Sequence, residues 1–312
     1  MKELRFLLTT GLATILAAGV AYAQPAQAPA GIPRQLLVTV EAKHGKEIPD
    51  VPKESVLVYE GHDRDTVTDW IPMQGEQAAL ELFILLDDDS GTNLGAQLQE
   101  LQKFIVAQPP TAKVGVAYMQ NGTARIAQEL TTEHELAAKS LRLPLGSAGV
   151  DSSPYFSISD LIKRWPASSA RREVLVISAG IDRYYGAGDP NDPYLDAAIT
   201  DANRAGIVIS AIYNPDAGHF GHSHYQTFWG QNYLSELADK TGGEAYYIGL
   251  TGTPVSFAPY LDDLARRLQH QYLLKFLAKV PKRSGWQKVR LSSEVPNVDL
   301  VSAGRVYVSL EP

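Results

Sequence analysis

The chain has 312 residues, enough for one large domain or one and a half, and it carries a formal net charge of −7 without any run of basic residues. Such an acidic chain binds nucleic acid and anionic membranes poorly, so both are excluded as partners. It contains no cysteine, which excludes a lipoprotein anchor, a disulfide framework, a thiol nucleophile and a zinc site made of thiolates.

Residues 1–23 are predicted to be a secretory signal peptide. Lys2 and Arg5 form a short positive region, the segment from Phe6 to Val20 is apolar, and Ala21-Tyr22-Ala23 is a cleavage site before Gln24. The alternative is an uncleaved membrane anchor, but the apolar run is short, and no other segment approaches the roughly 20 apolar residues that span a bilayer. We therefore expect an exported protein, periplasmic or secreted, with no membrane insertion once the signal peptide is removed.

Beyond the signal peptide, the chain divides into four segments. Residues 24–33 are rich in Pro and Ala and are predicted to be a flexible leader. Residues 34–78 have the alternation of apolar and polar residues that is typical of β-strands. Residues 79–270 contain apolar strands separated by amphipathic helices, and residues 271–312 return to the β pattern.

The segment 79–270 has the pattern of an α/β domain. Its predicted strands are LELFILL, KVGVAYM, TARIAQEL, REVLVISAG and GIVISAIY. Asn121-Gly122 predicts a hairpin turn, and Gly206 and Gly242 predict the ends of two helices. Continuous apolar strands that alternate with helices predict a doubly wound, Rossmann-like and mostly parallel sheet, covered on both faces. The two flanking β segments are predicted to meet beside it as a small accessory β unit.

The stretch FILLDDDSGTNLG, in which a buried strand ends on the three aspartates Asp87–Asp89, is the first candidate for a functional site. In open α/β sheets, sites form beyond the carboxyl ends of the strands. A solvated turn whose Asp or Ser caps the next helix is the simplest interpretation. Three adjacent carboxylates, however, repel one another unless water or a cation lies between them. The cluster therefore also indicates a site.

A phosphotransferase with an aspartate nucleophile is one candidate for this site. Its chemistry needs a second Asp two residues after the nucleophile and a Thr two residues later. With Asp87 as the nucleophile, Asp89 is the acid/base but Gly91 replaces the Thr; with Asp88 as the nucleophile, Ser90 replaces the acid/base. Neither register fits. A metal-dependent or phosphotransfer enzyme that uses Asp87–Asp89 is kept as the alternative function.

Asp88, Ser90 and Thr92 form a second candidate, a metal site. A carboxylate and two hydroxyls at alternate positions are hard oxygen ligands suited to Mg²⁺ or Mn²⁺. In this motif the chain resembles the von Willebrand factor A (VWA) family, and more specifically the bacterial secreted VWA-related proteins. The resemblance runs from about Leu36 to Val308 and includes the stretches LADKTGGEAYY and LDDLARRLQHQYLLKF.

The resemblance implies a VWA fold, a protein partner and a degenerate metal-ion-dependent adhesion site. In that family the partner usually donates a carboxylate to the metal, a later loop supplies a Thr, and an Asp lies in a Thr-Asp-Gly at the end of the next core strand. Here Ser152 or Ser153 would replace the Thr, and Ala179 stands where the Asp belongs, with Asp182 close behind it. We therefore expect Mg²⁺ or Mn²⁺ to bind weakly or not at all.

Two further groups are candidates for partner binding. His219, His222, His224 and Trp229 lie in the segment DAGHFGHSHYQTFWGQNY, and Tyr184-Tyr185 follows the strand REVLVISAG. Three clustered imidazoles suit Zn²⁺ or Cu²⁺, but a surface loop that packs its aromatic rings onto the domain is the interpretation we prefer. The predicted function is a non-enzymatic, exported VWA-domain protein that mediates protein–protein interaction or adhesion through the strand-end face.

Overall fold

The structure is a computed structural model that describes residues 31–45, 47–88, 94–146, 152–186, 191–215, 223–250, 252 and 254–310. The predicted signal peptide and most of the predicted leader lie outside these residues. Within the described ranges, no helix has both the length and the apolar content that crossing a bilayer requires.

The elements follow the predicted order of strands, then alternating strands and helices, then strands. The first strands are β1 (Ile32–Ala42), β2 (Val56–Glu60) and β3 (Asp63–Pro72). The middle of the chain forms β4 (Leu80–Asp87), α1 (Gly95–Val106), β5 (Ala112–Gln120), β6 (Thr123–Thr131), α2 (His134–Lys139), α3 (Pro154–Arg164), β7 (Arg171–Ser178), α4 (Pro193–Ala205), β8 (Ile207–Tyr213), α5 (His224–Thr241), β9 (Ala245–Tyr246) and α6 (Ala258–Gln269). The last strands are β10 (Gln271–Ala278), β11 (Gly285–Lys288), β12 (Arg290–Ser293), β13 (Val298–Ser302) and β14 (Arg305–Val308).

The strands β4 to β9 form one six-stranded sheet with the order β6-β5-β4-β7-β8-β9. All neighbours are parallel except β6, which runs antiparallel to β5. The first strand of this sheet, β4, lies in its middle, and the chain builds one half from β5 and the other half from β7. This is the doubly wound arrangement, whose topological switch point lies between β4 and β7. The predicted fold class is confirmed.

The strand β4 shows why the sheet is buried on both faces. Phe83 and Leu85 belong to a core shared with α3, α4 and α5, whereas Ile84 and Leu86 belong to a core shared with α1, α2 and α6. Successive side chains of a strand point to opposite faces, so one continuous apolar run supplies both cores.

The N- and C-terminal strands form a second, antiparallel sheet with the order β12-β2-β3-β10-β1-β13. β1 lies between β10 and β13, so the first strand is paired on both edges by strands from the C-terminal segment. The short strands β11 and β14 pair as a separate ribbon. The predicted accessory β unit is therefore confirmed, but it is larger than expected, since its main sheet has six strands, as many as the central sheet.

The two sheets are joined at the amino ends of the parallel strands. At the start of β7, Arg171 Nη1 donates a hydrogen bond to Gln271 Oε1 (2.6 Å), and Gln271 Nε2 donates one to Glu173 Oε1 (2.5 Å). Gln271 is the first residue of β10, and both Gln271 and Glu173 are buried. Burial raises the pKa of Glu173 and lowers the pKa of Arg171. The accessory sheet therefore contacts the amino ends of the parallel strands, at the other end of the sheet from their carboxyl ends.

The predicted turns are confirmed where Asn or Gly adopts a left-handed backbone. Asn121 (φ 49°) and Gly122 (φ 70°) form the two-residue turn between β5 and β6. Gly206 (φ 66°) and Gly242 (φ 86°) follow the ends of α4 and α5 in the same conformation.

The helix α5 approaches the end of β7 very closely. A Cβ atom on Gly230 would lie 2.2 Å from the carbonyl oxygen of Ala179, and one on Gly180 would lie 2.3 Å from the carbonyl oxygen of Gly230. Gly180 also has a φ of 70°, a backbone conformation that residues with a Cβ atom rarely adopt. These two glycines therefore allow backbone contact between α5 and the strand end.

We predict that Gly230→Ala lowers the free energy of unfolding by about 1–3 kcal/mol, the usual cost of overpacking a buried contact. The matched control is Gly95→Ala, because Gly95 is also helical but a Cβ there would meet no atom within 4 Å. Alanine favours the helix more than glycine, so the control should be neutral or slightly stabilising. Denaturant titration of the three proteins measures the difference, and equal stability of wild type and Gly230→Ala would contradict the prediction.

Candidate functional site

The candidate site lies at the switch point, where β4 and β7 end side by side. Asp87 is the last residue of β4 and Ser178 the last residue of β7. Ser178 Oγ donates a hydrogen bond to Asp87 Oδ2 (2.8 Å) and accepts one from the backbone N–H of Gly180 (3.0 Å). The first aspartate of the cluster thus ties the two strand ends together.

Asp88 is fully buried, and its carboxylate is paired with the guanidinium of Arg142. Arg142 Nη1 donates to Asp88 Oδ1 (2.7 Å) and Nη2 donates to Oδ2 (3.0 Å), so the pair is bidentate. The backbone N–H of Leu145 also donates to Oδ1 (3.0 Å), and Gln120 Nε2 donates to Oδ2 at 3.5 Å. An arginine of the same chain therefore compensates the charge of Asp88.

Arg142 is itself held by Tyr118 of β5. The Tyr118 hydroxyl donates to the Arg142 carbonyl oxygen (2.9 Å) and accepts from the Arg142 backbone N–H (2.7 Å). The guanidinium carbon lies 3.8 Å from the centroid of the Tyr118 ring, which is a cation–π contact. The hydrogen bond to Asp88 raises the pKa of Arg142, and burial raises the pKa of Tyr118. Both groups therefore keep their protons at neutral pH.

Sequence reasoning missed Arg142 as a member of the site. The residue follows α2 in the segment LRLPLG, and 54 positions separate it from Asp88. The available signal was indirect, because a carboxylate at the end of a buried strand requires a compensating cation but does not indicate which basic residue supplies it.

The structure brings two of the predicted ligands, Ser153 and Asp182, into contact with each other. Ser153 Oγ donates to Asp182 Oδ2 (2.5 Å) and accepts from the backbone N–H of Phe156 (3.3 Å), which caps α3. Asp182 Oδ1 accepts from the backbone N–H of Tyr185 (3.0 Å), and both Ser153 and Asp182 are buried. These contacts fasten the loop after β7 to the start of α3.

Two other predicted ligand positions, Ala179 and Ser152, lie within the described residues. Ala179 is buried and belongs to the apolar core beneath α5, and its side chain has no oxygen. Ser152 uses its backbone carbonyl, which accepts from the N–H of Arg183 (3.2 Å). Outside the described residues lie Asp89, Ser90, Thr92, His219 and His222.

The described candidates do not fit a divalent cation in this arrangement. Mg²⁺ and Mn²⁺ need oxygen lone pairs. A carboxylate has about four acceptor positions, and four N–H donors approach those of Asp88. Ser153 and Asp182 are bonded to each other. Among the described residues, no group of three or more His, Asp or Glu side chains could hold a metal ion.

The predicted partner-binding tyrosines form part of an aromatic cluster above the end of β7. Tyr184 is 50% exposed and Tyr185 39% exposed. The Tyr184 ring packs against Phe156 (centroids 5.1 Å apart), and the Tyr185 ring packs against Tyr194 (5.9 Å). Such edge and tilted ring contacts are favourable, so they support two exposed tyrosines at the edge of the sheet.

The aromatic segment that begins at residue 224 is helical, and the prediction of a surface loop there is wrong. α5 begins at the exposed His224. Ser223 and Gln226 form a capping box at its start, in which the Gln226 N–H donates to Ser223 Oγ (3.2 Å) and the Ser223 N–H donates to Gln226 Oε1 (3.1 Å). The Ser-x-x-Gln spacing was the sequence signal that could have identified this helix.

The first turns of α5 present aromatic rings to solvent. Tyr225 is 57% exposed and Phe228 58% exposed, whereas Trp229 is half-buried. The Trp229 ring lies between them and the core, with centroids 5.5 Å from Phe228 and 5.8 Å from the buried Tyr233. The part of the predicted histidine and aromatic segment that the structure describes, from His224 to Tyr233, therefore lies on one helix.

No family model matches this chain, and no curated protein matches it. Among solved structures, the SpRpn10 VWA domain is 16% identical over 61% of this chain and 95% of that chain, with a TM-score of 0.36. The human COPII-coat protein Sec24c is 10% identical over 77% of this chain and 44% of that chain, with a TM-score of 0.40. VWA membership stays a prediction from the sequence motif.

Asp192 provides a pH-sensitive contact near this site. Its Oδ1 caps α4 by accepting from the N–H groups of Tyr194 (2.8 Å) and Leu195 (3.3 Å). Burial raises the pKa of Asp192 from 3.8 to about 6, and the charge of Asp182 adds to this shift. The folded protein thus holds the proton more tightly than the unfolded chain. The stability that Asp192 contributes is therefore lost as the pH rises from 3.8 to about 6.

We predict that Asp192→Asn preserves the cap, since Asn caps helices as well as Asp, and removes the cost of ionisation. The melting temperatures of variant and wild type should be similar near pH 4 and should diverge as the pH rises to neutrality, with the variant higher. Thermal denaturation across this pH range measures the divergence. Asp262→Asn, at an exposed position of α6, is the control, and parallel curves for Asp192→Asn and wild type would argue against the prediction.

Proposed function

We propose that this chain is a non-enzymatic protein-interaction module of the VWA type, which binds a protein partner through the loops at the carboxyl ends of its parallel strands. The location of exposed apolar side chains supports this function. The described residues expose fourteen large hydrophobic side chains. Nine of them lie at this edge: Leu143, Leu145, Tyr184, Tyr185, Tyr225, Phe228, Ile248, Leu250 and Val255. Exposed apolar side chains concentrated in one region mark an interaction site.

These side chains come from four separate connections. They lie in the segment before α3, the loop after β7, the start of α5 and the segment between β9 and α6. Loops that meet at one edge of a rigid sheet are a usual way to build a binding surface. The surface is rich in Tyr and Phe, which are typical of the buried centre of protein interfaces. We refer to this set of nine side chains as the strand-end surface.

The contacts of Asp88 support binding rather than an enzymatic role for this aspartate. An aspartate that acts as a nucleophile or metal ligand needs an available oxygen. Both oxygens of Asp88 accept hydrogen bonds from Arg142, and Asp87 accepts one from Ser178. The VWA assignment is supported by the Asp88-x-Ser90-x-Thr92 motif and by its place after the central strand β4.

The chain is also proposed to be exported, with cleavage before Gln24. The charged start, apolar run and Ala21-Tyr22-Ala23 of the sequence support this. We predict that intact-mass measurement of the protein from envelope and medium fractions gives residues 24–312. An unprocessed chain that retains residues 1–23 in the membrane pellet would refute cleavage.

We predict that the strand-end surface crosslinks to a protein partner. A photoreactive phenylalanine analogue at position 184 or 228 of the full chain should capture one partner protein, whereas the same group at Tyr307 should not. Tyr307 is a matched control, because it is an exposed aromatic residue of β14, away from this edge. Capture should persist in EDTA, because the Arg142 guanidinium already compensates the charge of Asp88.

The purified partner then allows the affinity to be measured. Tyr184→Ser or Phe228→Ser should weaken binding by about 2 kcal/mol or more, the effect expected for central aromatic residues of an interface, and Tyr307→Ser should leave it unchanged. Equal crosslinking at all three positions, or unchanged affinity of both strand-end variants, would refute the proposed surface.

A further inference from the structure

The buried carboxylate of Asp88 requires a compensating charge. A charge removed from water is costly unless an opposite charge and hydrogen bonds compensate it. The requirement is stronger here because Asp87 precedes Asp88 in the chain, and Asp182 and Asp192, which follow β7, are buried at the same end of the sheet. Several carboxylates in one region favour the presence of a cation.

Arg142 meets this requirement from within the chain. Its Nη1 and Nη2 atoms match the two oxygens of Asp88, while the N–H of Leu145 and the Nε2 of Gln120 approach the remaining lone pairs. A carboxylate has about four acceptor positions. A metal ion could therefore reach Asp88 only by displacing one of these donors, and it would then meet a positive guanidinium within hydrogen-bond distance of the same oxygens.

The position of Arg142 is fixed by contacts that do not involve Asp88. Tyr118 forms two hydrogen bonds with its backbone and stacks beneath its guanidinium. Arg142 Nη1 also donates to the carbonyl of Leu143 (3.0 Å). The same loop carries Leu143 and Leu145, which are 41% and 62% exposed and belong to the strand-end surface.

We propose that Arg142 is the resident cation of this strand end: its guanidinium takes the place of a divalent metal ion beside Asp88 and makes the site independent of metal. The pair exists in the free protein, so its test does not depend on the proposed partner. Arg142 is also a positioning residue, because it holds the loop 141–146 over Asp88 and thereby places Leu143 and Leu145.

The test compares four full-length proteins: wild type, Arg142→Gln, Asp88→Asn and the double variant. Each is treated with EDTA and then melted with and without millimolar Mg²⁺ or Mn²⁺. Wild type should show the same melting temperature in every condition. Arg142→Gln should melt lower, because it leaves a buried carboxylate unpaired, and either ion should raise its melting temperature by binding the folded state. The double variant should melt higher than Arg142→Gln and should not respond to ions.

Arg125→Gln is the matched control. Arg125 is exposed and lies on β6 in register with Tyr118, and its replacement should leave the melting temperature and the ion response of wild type unchanged. Stabilisation of wild type by either ion would overturn the proposal, and so would a folded Arg142→Gln that responds to neither.

If Arg142→Gln does not fold, Arg142→Lys decides the question. Lysine keeps the positive charge but cannot form the bidentate contact. This variant should fold, melt below wild type and remain insensitive to both ions. Stabilisation of the lysine variant by Mg²⁺ or Mn²⁺ would show that a single positive side chain does not replace the metal, and it would overturn the proposal.

Discussion

The ion pair between Asp88 and Arg142 is the interaction on which the carboxyl end of the sheet depends. Asp88 directly follows the central strand β4, so its charge is buried at the point where the two halves of the sheet meet. Asp88 is fully buried whereas the Arg142 side chain is 38% exposed, so removing the arginine would leave a buried carboxylate without a compensating charge. Since Arg142 also bonds to Tyr118, the pair connects β4, β5 and the loop 141–146 in one arrangement.

The opposite end of the parallel strands has a different role, because it is joined to the accessory sheet. Arg171, Glu173 and Gln271 connect the start of β7 with the start of β10 through hydrogen bonds that are largely shielded from water. The two hydrogen bonds of this network fix the start of β7 relative to the start of β10. One end of the sheet is thus attached to the accessory strands, and the loops at the other end carry the exposed apolar side chains of the strand-end surface.

Close packing under this surface explains how exposed aromatic rings are held in place. Gly180 and Gly230 permit contact between the backbones of the strand end and α5, and the capping box at Ser223 sets the start of that helix. Tyr184 rests on the ring of Phe156. A surface that is ordered before binding loses less conformational entropy on association. Under the proposed function, recognition depends on this order and on apolar contact, while Arg142 supplies the charge that a metal would otherwise provide.

The sequence by itself determined the α/β architecture, the accessory strands at both flanks and the position of the candidate site after β4. These features follow from local patterns: continuous apolar runs, helix-ending Gly206 and Gly242, and the Asn121-Gly122 turn. Only the tertiary structure decided that Arg142 binds Asp88 and that Ser153 binds Asp182. An ion pair between residues 54 positions apart arises only when β5 lies beside β4 and the following loop returns over the strand end, and no local periodicity encodes that course.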